Sequence, residues 1–171
     1  ASLVAISDDD GDTWRASRPI IGLGPIQPSL AKRRDGTIIA FCRDSGPPPG
    51  RVMASHSRDN GETWSAARDT DIPNPGSSLE VIVLRDGRWL IVYNDSTQSR
   101  DNLTVAISED EGKTWPLKRR LEPQSVGATS FAYPSVIQSA DGAVHITYTC
   151  KGPRGGRIRH GILQPGQLKT D

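Results

Sequence analysis

Two aspartates stand where a carboxylate could act on a ligand. Asp44 lies in Arg43-Asp44-Ser45-Gly46 and Asp95 in Tyr93-Asn94-Asp95-Ser96, each directly after an apolar, strand-like run. A carboxylate at the end of a strand can give or take a proton, and two of them brought to one mouth could divide the acid and base roles. The other role open to each is to cap its own loop through side-chain bonds to backbone N–H groups. Asp8, Asp9, Asp10 and Asp12 have the composition of a calcium loop, but the spaced ligands and closing bidentate glutamate of an EF-hand are missing. A structural hairpin is the preferred reading there. His145 and His160 fall within strand patterns without metal-spaced partners, so packing or solvent exposure is expected. Cys42 and Cys150 lie far apart with no CxxC spacing and read as small buried hydrophobes. No metal and no cofactor are expected.

The elements that must carry such groups are set by a repeat. Ser7-Asp8-Asp9-Asp10-Gly11-Asp12-Thr13-Trp14, Ser57-Arg58-Asp59-Asn60-Gly61-Glu62-Thr63-Trp64 and Ser108-Glu109-Asp110-Glu111-Gly112-Lys113-Thr114-Trp115 all fit S-x-D-x-G-x-T-W, an Asp-box, with a period of about fifty residues. Asp35-Gly36, Asp86-Gly87 and Asp141-Gly142 recur in step, each between two β-rich runs, as tight hairpin turns should. In each box the aspartate (Asp9, Asp59, Asp110) can accept N–H bonds within the turn. The glycine (Gly11, Gly61, Gly112) supplies positive φ, and the tryptophan (Trp14, Trp64, Trp115) can bury a large ring between strands.

Each unit reads as four strands. In one they are Ser77 to Leu84, Arg88 to Asn94, Asn102 to Ser108 and Thr114 to Leu121. The first two are almost continuously apolar, as strands covered on both faces should be, whereas the third alternates as a half-exposed strand should. This gradient, with no helical period anywhere, predicts an all-β chain built as a β-propeller of four-stranded antiparallel blades. The expected organisation is one partial propeller domain over 1–171, with blade ends at 1–20, complete blades at 27–68 and 77–121, and an incomplete last blade at 133–163. Roughly four to eight blades close a ring. The uncovered faces therefore call for an N-terminal half not present here, or for self-association into a homo-oligomer.

Composition narrows the partners. Lys plus Arg exceed Asp plus Glu by one, a balance too weak to steer nucleic acid. No apolar run is long enough to cross a bilayer as a helix, and no signal-peptide pattern opens the chain. Neither nucleic acid nor membrane is expected as a partner. A secreted or periplasmic setting is favoured over a cytoplasmic one.

The Asp-boxes, the Asp-Gly hairpins and the run Arg100-Asp101-Asn102-Leu103-Thr104-Val105-Ala106-Ile107-Ser108 leading into the third box resemble the bacterial sialidase family and its broader BNR-repeat relatives. The resemblance covers nearly the whole chain and implies the C-terminal half of a six-bladed propeller with a carbohydrate ligand. It also implies an arginine triad for a substrate carboxylate, a tyrosine nucleophile assisted by a glutamate, and an aspartic acid. A planar guanidinium fork matches a carboxylate bidentately, and a tyrosine approaches an anionic sugar with less repulsion than a carboxylate would. By position, Arg43, seven residues after Gly36, matches the second triad arginine. Arg100 matches the third, and Tyr133, nine residues before Gly142, matches the nucleophile. Tyr148 matches the tyrosine of the family's final Tyr-Glu pair, and with Gln27 and Asn94 it is expected to contact the ligand.

The departures are as informative. Gln27 stands where the family has its assisting glutamate, and Thr149 replaces the glutamate after the final tyrosine. The first arginine and the acid would belong to other blades. The expectation is a sialidase-like exo-glycosidase acting on a terminal sugar, acidic or neutral, through a site incomplete in this chain. The alternative is a non-catalytic carbohydrate-binding or scaffold propeller.

Overall fold

The computed structural model describes residues 1–122, 129–164 and 167, with thirteen β-strands and no α-helix among them. β1 (Ala5–Ile6) and β2 (Arg15–Ala16) flank the first Asp-box. The second blade runs through β3 (Pro25–Lys32), β4 (Ile38–Asp44), β5 (Arg51–Ser57) and β6 (Arg68–Pro73). The third comprises β7 (Glu80–Val83), β8 (Trp89–Tyr93), β9 (Leu103–Ser108) and β10 (Leu117–Glu122). The fourth comprises β11 (Ser130–Gln138), β12 (Val144–Gly152) and β13 (Gly155–Leu163). Every pairing is antiparallel between sequence neighbours, so each sheet is a meander, and the four sheets follow one another in an arc that does not close. The chain is all-β and built of propeller blades.

The core lies between blades. Leu90, Val92, Leu103 and Val105 of the third blade pack on Val136, Val144 and Ile146 of the fourth. Its other face brings Val81, Trp89 and Ile91 against Ile39, Phe41 and Val52 of the second. Burial on both faces is the hydrophobic driving force that stacks the sheets. Both thiols, Cys42 and Cys150, are free and buried in these clusters.

Polar clips fix the inner strands to one another. Ser29 Oγ accepts the Val81 N–H at 2.9 Å, and Ser78 Oγ accepts the Tyr133 N–H at 3.1 Å. β3, β7 and β11 are thereby adjacent around one axis. At the opposite end, the Asp-Gly hairpin of the second blade meets the third Asp-box: the Arg34 N–H donates to Glu111 Oε1 at 3.1 Å.

Four local expectations are corrected. β9 was expected to be half-exposed but is buried at every position. Leu103, Val105 and Ile107 face the fourth blade, and Ala106 faces the second, so small residues here mark close approach of a neighbouring blade rather than water. The fully buried pair is β8 with β9, whereas the innermost strand β7 leaves Val83 44% exposed. The third blade's outer strand starts at Leu117 rather than Thr114, because the Thr114 N–H and hydroxyl are both committed to Asp110, at 2.8 and 2.6 Å. Its inner strand starts at Glu80, since the Ser77 N–H and carbonyl are held by the Asn74 side chain.

Candidate functional site

Two inner strands carry the same irregularity. β3 and β11 each slip register against their hairpin partner, between Ile26 and Ser29 and between Ala132 and Ser135. Each bulge holds an X-Pro pair, Gln27-Pro28 and Tyr133-Pro134. Gln27 has φ of 50° and Tyr133 of 53°, a left-handed conformation unusual for any non-glycine residue and more so before proline. Such strain costs on the order of 1–3 kcal/mol per residue and clusters at functional sites, while a bulge re-aims the side chain it carries. Both side chains are exposed, Tyr133 at 53%, and both line one axial cavity of about 320 Å³ together with Ser78 and Glu80.

Gln27 links this cavity to the arginines. Arg43 Nη1 donates to Gln27 Oε1 at 3.1 Å, while the buried Nε of Arg43 has no partner among the described residues. Arg43 and Arg100 line an adjoining cavity of about 650 Å³, walled also by Pro48, Gly50, Asn74 and Gln98. Arg100 is steadied by a 2.6 Å bond from Nη2 to the Gly76 carbonyl, and its own carbonyl accepts the Phe131 N–H at the start of β11. The Arg43–Gln27 bond thus joins the cavity that Tyr133 lines to the one that Arg43 and Arg100 line.

The other candidates serve the scaffold. Asp44 is buried, with Oδ1 accepting the Gly46 N–H at 2.6 Å and Oδ2 the Arg51 N–H at 3.2 Å, so both oxygens cap the loop. Asp95 turns outward to an ion pair with Lys118 of β10 at 3.2 Å, away from the axial cavity. Asn94 is fully buried, and its Nδ2 donates to the carbonyls of Asn102 and Phe131, tying the third blade to the fourth. Tyr148 is also buried, and its hydroxyl donates to Glu122 at 2.6 Å. Burial and that carboxylate push its pKa up to about 12. His145 and His160 stack across β12 and β13, with Nδ1 and Nε2 3.0 Å apart.

The three Asp-boxes share one hydrogen-bond set. The serine hydroxyl bonds the aspartate and accepts the glycine N–H, and the aspartate accepts the threonine N–H and hydroxyl. Asp10, Asn60 and Glu111, each before the glycine, take positive φ. The hairpin reading of the first box is what its hydrogen bonds describe, with Asp9 spent inside the turn. The tryptophans differ from expectation: Trp14 is 65% exposed and only Trp64 and Trp115 are half-buried.

This repeated architecture has known counterparts. A model of the BNR repeat-like domain matches residues 1–146. The chain belongs to that family. Among curated BNR-repeat relatives, a sialidase of Micromonospora viridifaciens is 29% identical over 83% of this chain and 22% of its own length. A sialidase of Paraclostridium sordellii is 22% identical over 91% and 43% respectively. The fold is shared with the intramolecular trans-sialidase of Ruminococcus gnavus, solved with oseltamivir carboxylate, at a TM-score of 0.79 and 20% identity over 98% of this chain and 38% of that one. This BNR-repeat chain therefore spans less than half the length of these relatives.

Two axial residues of the BNR-repeat chain were not legible in advance. Ser78 fixes the Tyr133 backbone, and Glu80 lies on β7 in the cavity with Gln27 and Tyr133. The Glu80 carboxyl makes no hydrogen bond or ion pair among the described residues, and burial raises its pKa above the ordinary carboxylate value. The available signal was a single acidic residue opening an otherwise apolar strand, Leu79-Glu80-Val81-Ile82.

Proposed function

We infer that this chain contributes one side of the sugar pocket of a sialidase-like exo-glycosidase, which hydrolyses a terminal glycosidic bond of an acidic sugar. The observation that carries the reading is the matched pair of strained bulges, which turns Gln27 and Tyr133 into one axial cavity beside Arg43. Arg43 and Arg100 are the cationic groups for the sugar carboxylate. Tyr133 is the nucleophile toward the anomeric carbon.

Gln27 is an amide and cannot take the phenolic proton; it holds the Arg43 guanidinium in place. Glu80 is the carboxyl lining the same cavity, and its raised pKa suits it to receive that proton. The resemblance assigns the acid for the departing alcohol, and a further arginine, to other blades.

A panel of fluorogenic glycosides on the protein together with the blades that supply the acid and the further arginine tests this. Hydrolysis of an N-acetylneuraminoside is expected, with Tyr133→Phe lowering kcat by about 100-fold or more and Arg43→Ala acting mainly on KM. Activity unchanged in Tyr133→Phe would remove the tyrosine from the reaction. The second reading, a binding propeller without turnover, is favoured by one observation: Asp44 and Asp95 are both committed elsewhere. Sugar binding without hydrolysis of any glycoside would establish it.

A further inference from the structure

The third Asp-box departs from the other two at its tryptophan. In the first and second boxes the indole folds over its own glycine, with Nε1 donating to the Gly11 and Gly61 carbonyls at 2.9 Å. A Cβ placed on Gly11 or Gly61 would meet that indole. At Gly112 the place is taken by Trp89, whose ring would lie 2.8 Å from such a Cβ, with Phe41 at 3.1 Å. Trp115 is displaced sideways into an edge-to-face contact with Phe41, at a centroid distance of 6.0 Å and 80°. Its Nε1 has no hydrogen-bond partner among the described residues.

The displaced indole forms one wall of a cleft of about 370 Å³ between the second and third blades, bounded by β6 and β10. Phe41 and Tyr93, both almost fully buried, back the cleft from behind. Asp71 and Lys118 stand at the edge. The Asp71 carboxylate has no partner among the described residues; only its backbone carbonyl is engaged, by Arg51. Lys118 is paired with Asp95 at 3.2 Å and lies 5.9 Å from the Tyr93 ring centroid.

Ligand sites combine an apolar floor with a few convergent polar groups in volumes of roughly 300–1,000 Å³. A pyranose ring has the matching surface. Its C–H face stacks on an aromatic plane while equatorial hydroxyls donate to a carboxylate and accept from an N–H donor. We propose that this cleft is a second saccharide-binding site, which takes a neutral pyranose against Trp115 with its hydroxyls on Asp71 and the free indole N–H. It lies at the outer strands and shares no lining residue with the axial cavity. Its occupancy does not depend on the axial site being catalytic.

The test is a titration of the purified protein with methyl β-D-glucopyranoside and methyl β-D-galactopyranoside, followed by tryptophan fluorescence and saturation-transfer NMR. At least one pyranoside should bind saturably, with affinity retained in Arg43→Ala and Tyr133→Phe and weakened about tenfold or more in Asp71→Ala and Trp115→Ala. Asp71 is exposed and makes no side-chain contact that folding requires, so its variant keeps the test decisive if Trp115→Ala is unstable. Three results overturn the proposal: no saturable binding of either pyranoside, binding abolished by Arg43→Ala, or binding unchanged in Asp71→Ala. The second would leave the axial reading standing alone.

Discussion

The first and third Asp-boxes are the same loop in opposite surroundings. Both close with the same serine, aspartate, glycine and threonine bonds. Yet the ring at the first, Trp14, stands 65% exposed, while the third presses on Trp89 and Phe41 of the seam between two blades. The loop's conformation is therefore local, set by its own hydrogen bonds, whereas its energetic weight is tertiary and depends on a neighbouring sheet. The sharpest way to break this contrast is to remove the rings. Trp89→Ala, at a site 1% exposed, should cost about 3–5 kcal/mol, while Trp14→Ala should stay within about 0.5 kcal/mol. Urea unfolding of the two variants measures both, and a similar loss in each would mean that Trp14 is covered in solution by a second copy or another segment.

A smaller effect sharpens the same point. Ser108 is fully buried and its hydroxyl accepts the Gly112 N–H at 2.9 Å; Ser7 makes the same bond to Gly11 at 2.8 Å in a loop open to water. Both bonds are part-buried at the glycine, but Ser108 is itself enclosed and Ser7 is not, so water replaces the lost hydroxyl less readily at the third box. Ser108→Ala should lose about 1–3 kcal/mol and Ser7→Ala under about 1 kcal/mol. Equal losses, read from the same unfolding curves, would make the loop itself rather than its seam the source of stability.

These contrasts explain what could be read from the residues alone. The Asp-boxes and Asp-Gly turns are local hydrogen-bond and φ requirements, so their spacing gave the blades and the all-β class. Burial across blades is a long-range property. β9 looks half-exposed because Thr104 and Ala106 are not large hydrophobes, although both are covered. The candidate site divides in the same way. Arg43, Arg100, Gln27 and Tyr133 fall on strand ends and bulges that the repeat register locates. Asp44 and Asp95 occupy equally suggestive positions, but their partners, the Gly46 and Arg51 amides and Lys118, are fixed by loop closure and by a strand two places away in the sheet. Glu80 is marked only by being the one acidic residue at the head of an apolar strand, a signal that does not by itself say which face meets the axis.

The last test should erase the contrast altogether. The carboxyls of Asp9 and Asp59 are drawn down from the ordinary 3.8 to about 2, first by the hydroxyl of the following threonine, then by its N–H and by the box serine. Asp110 also falls to about 2: burial pushes it up, but the Thr114 and Ser108 bonds outweigh that. A carboxyl with a lower pKa folded than unfolded stabilises the fold above the unfolded value and loses that contribution as pH falls through the folded one. Thermal stability should therefore decline between about pH 4 and pH 2, and Asp9→Asn and Asp110→Asn should each flatten the decline to a similar degree. The serine and threonine bonds inside the loop, shared by both sites, outweigh the burial at the third box and bring both carboxyls to the same value. A slope altered by Asp110→Asn alone would show that the blade seam also governs the charge state of the box.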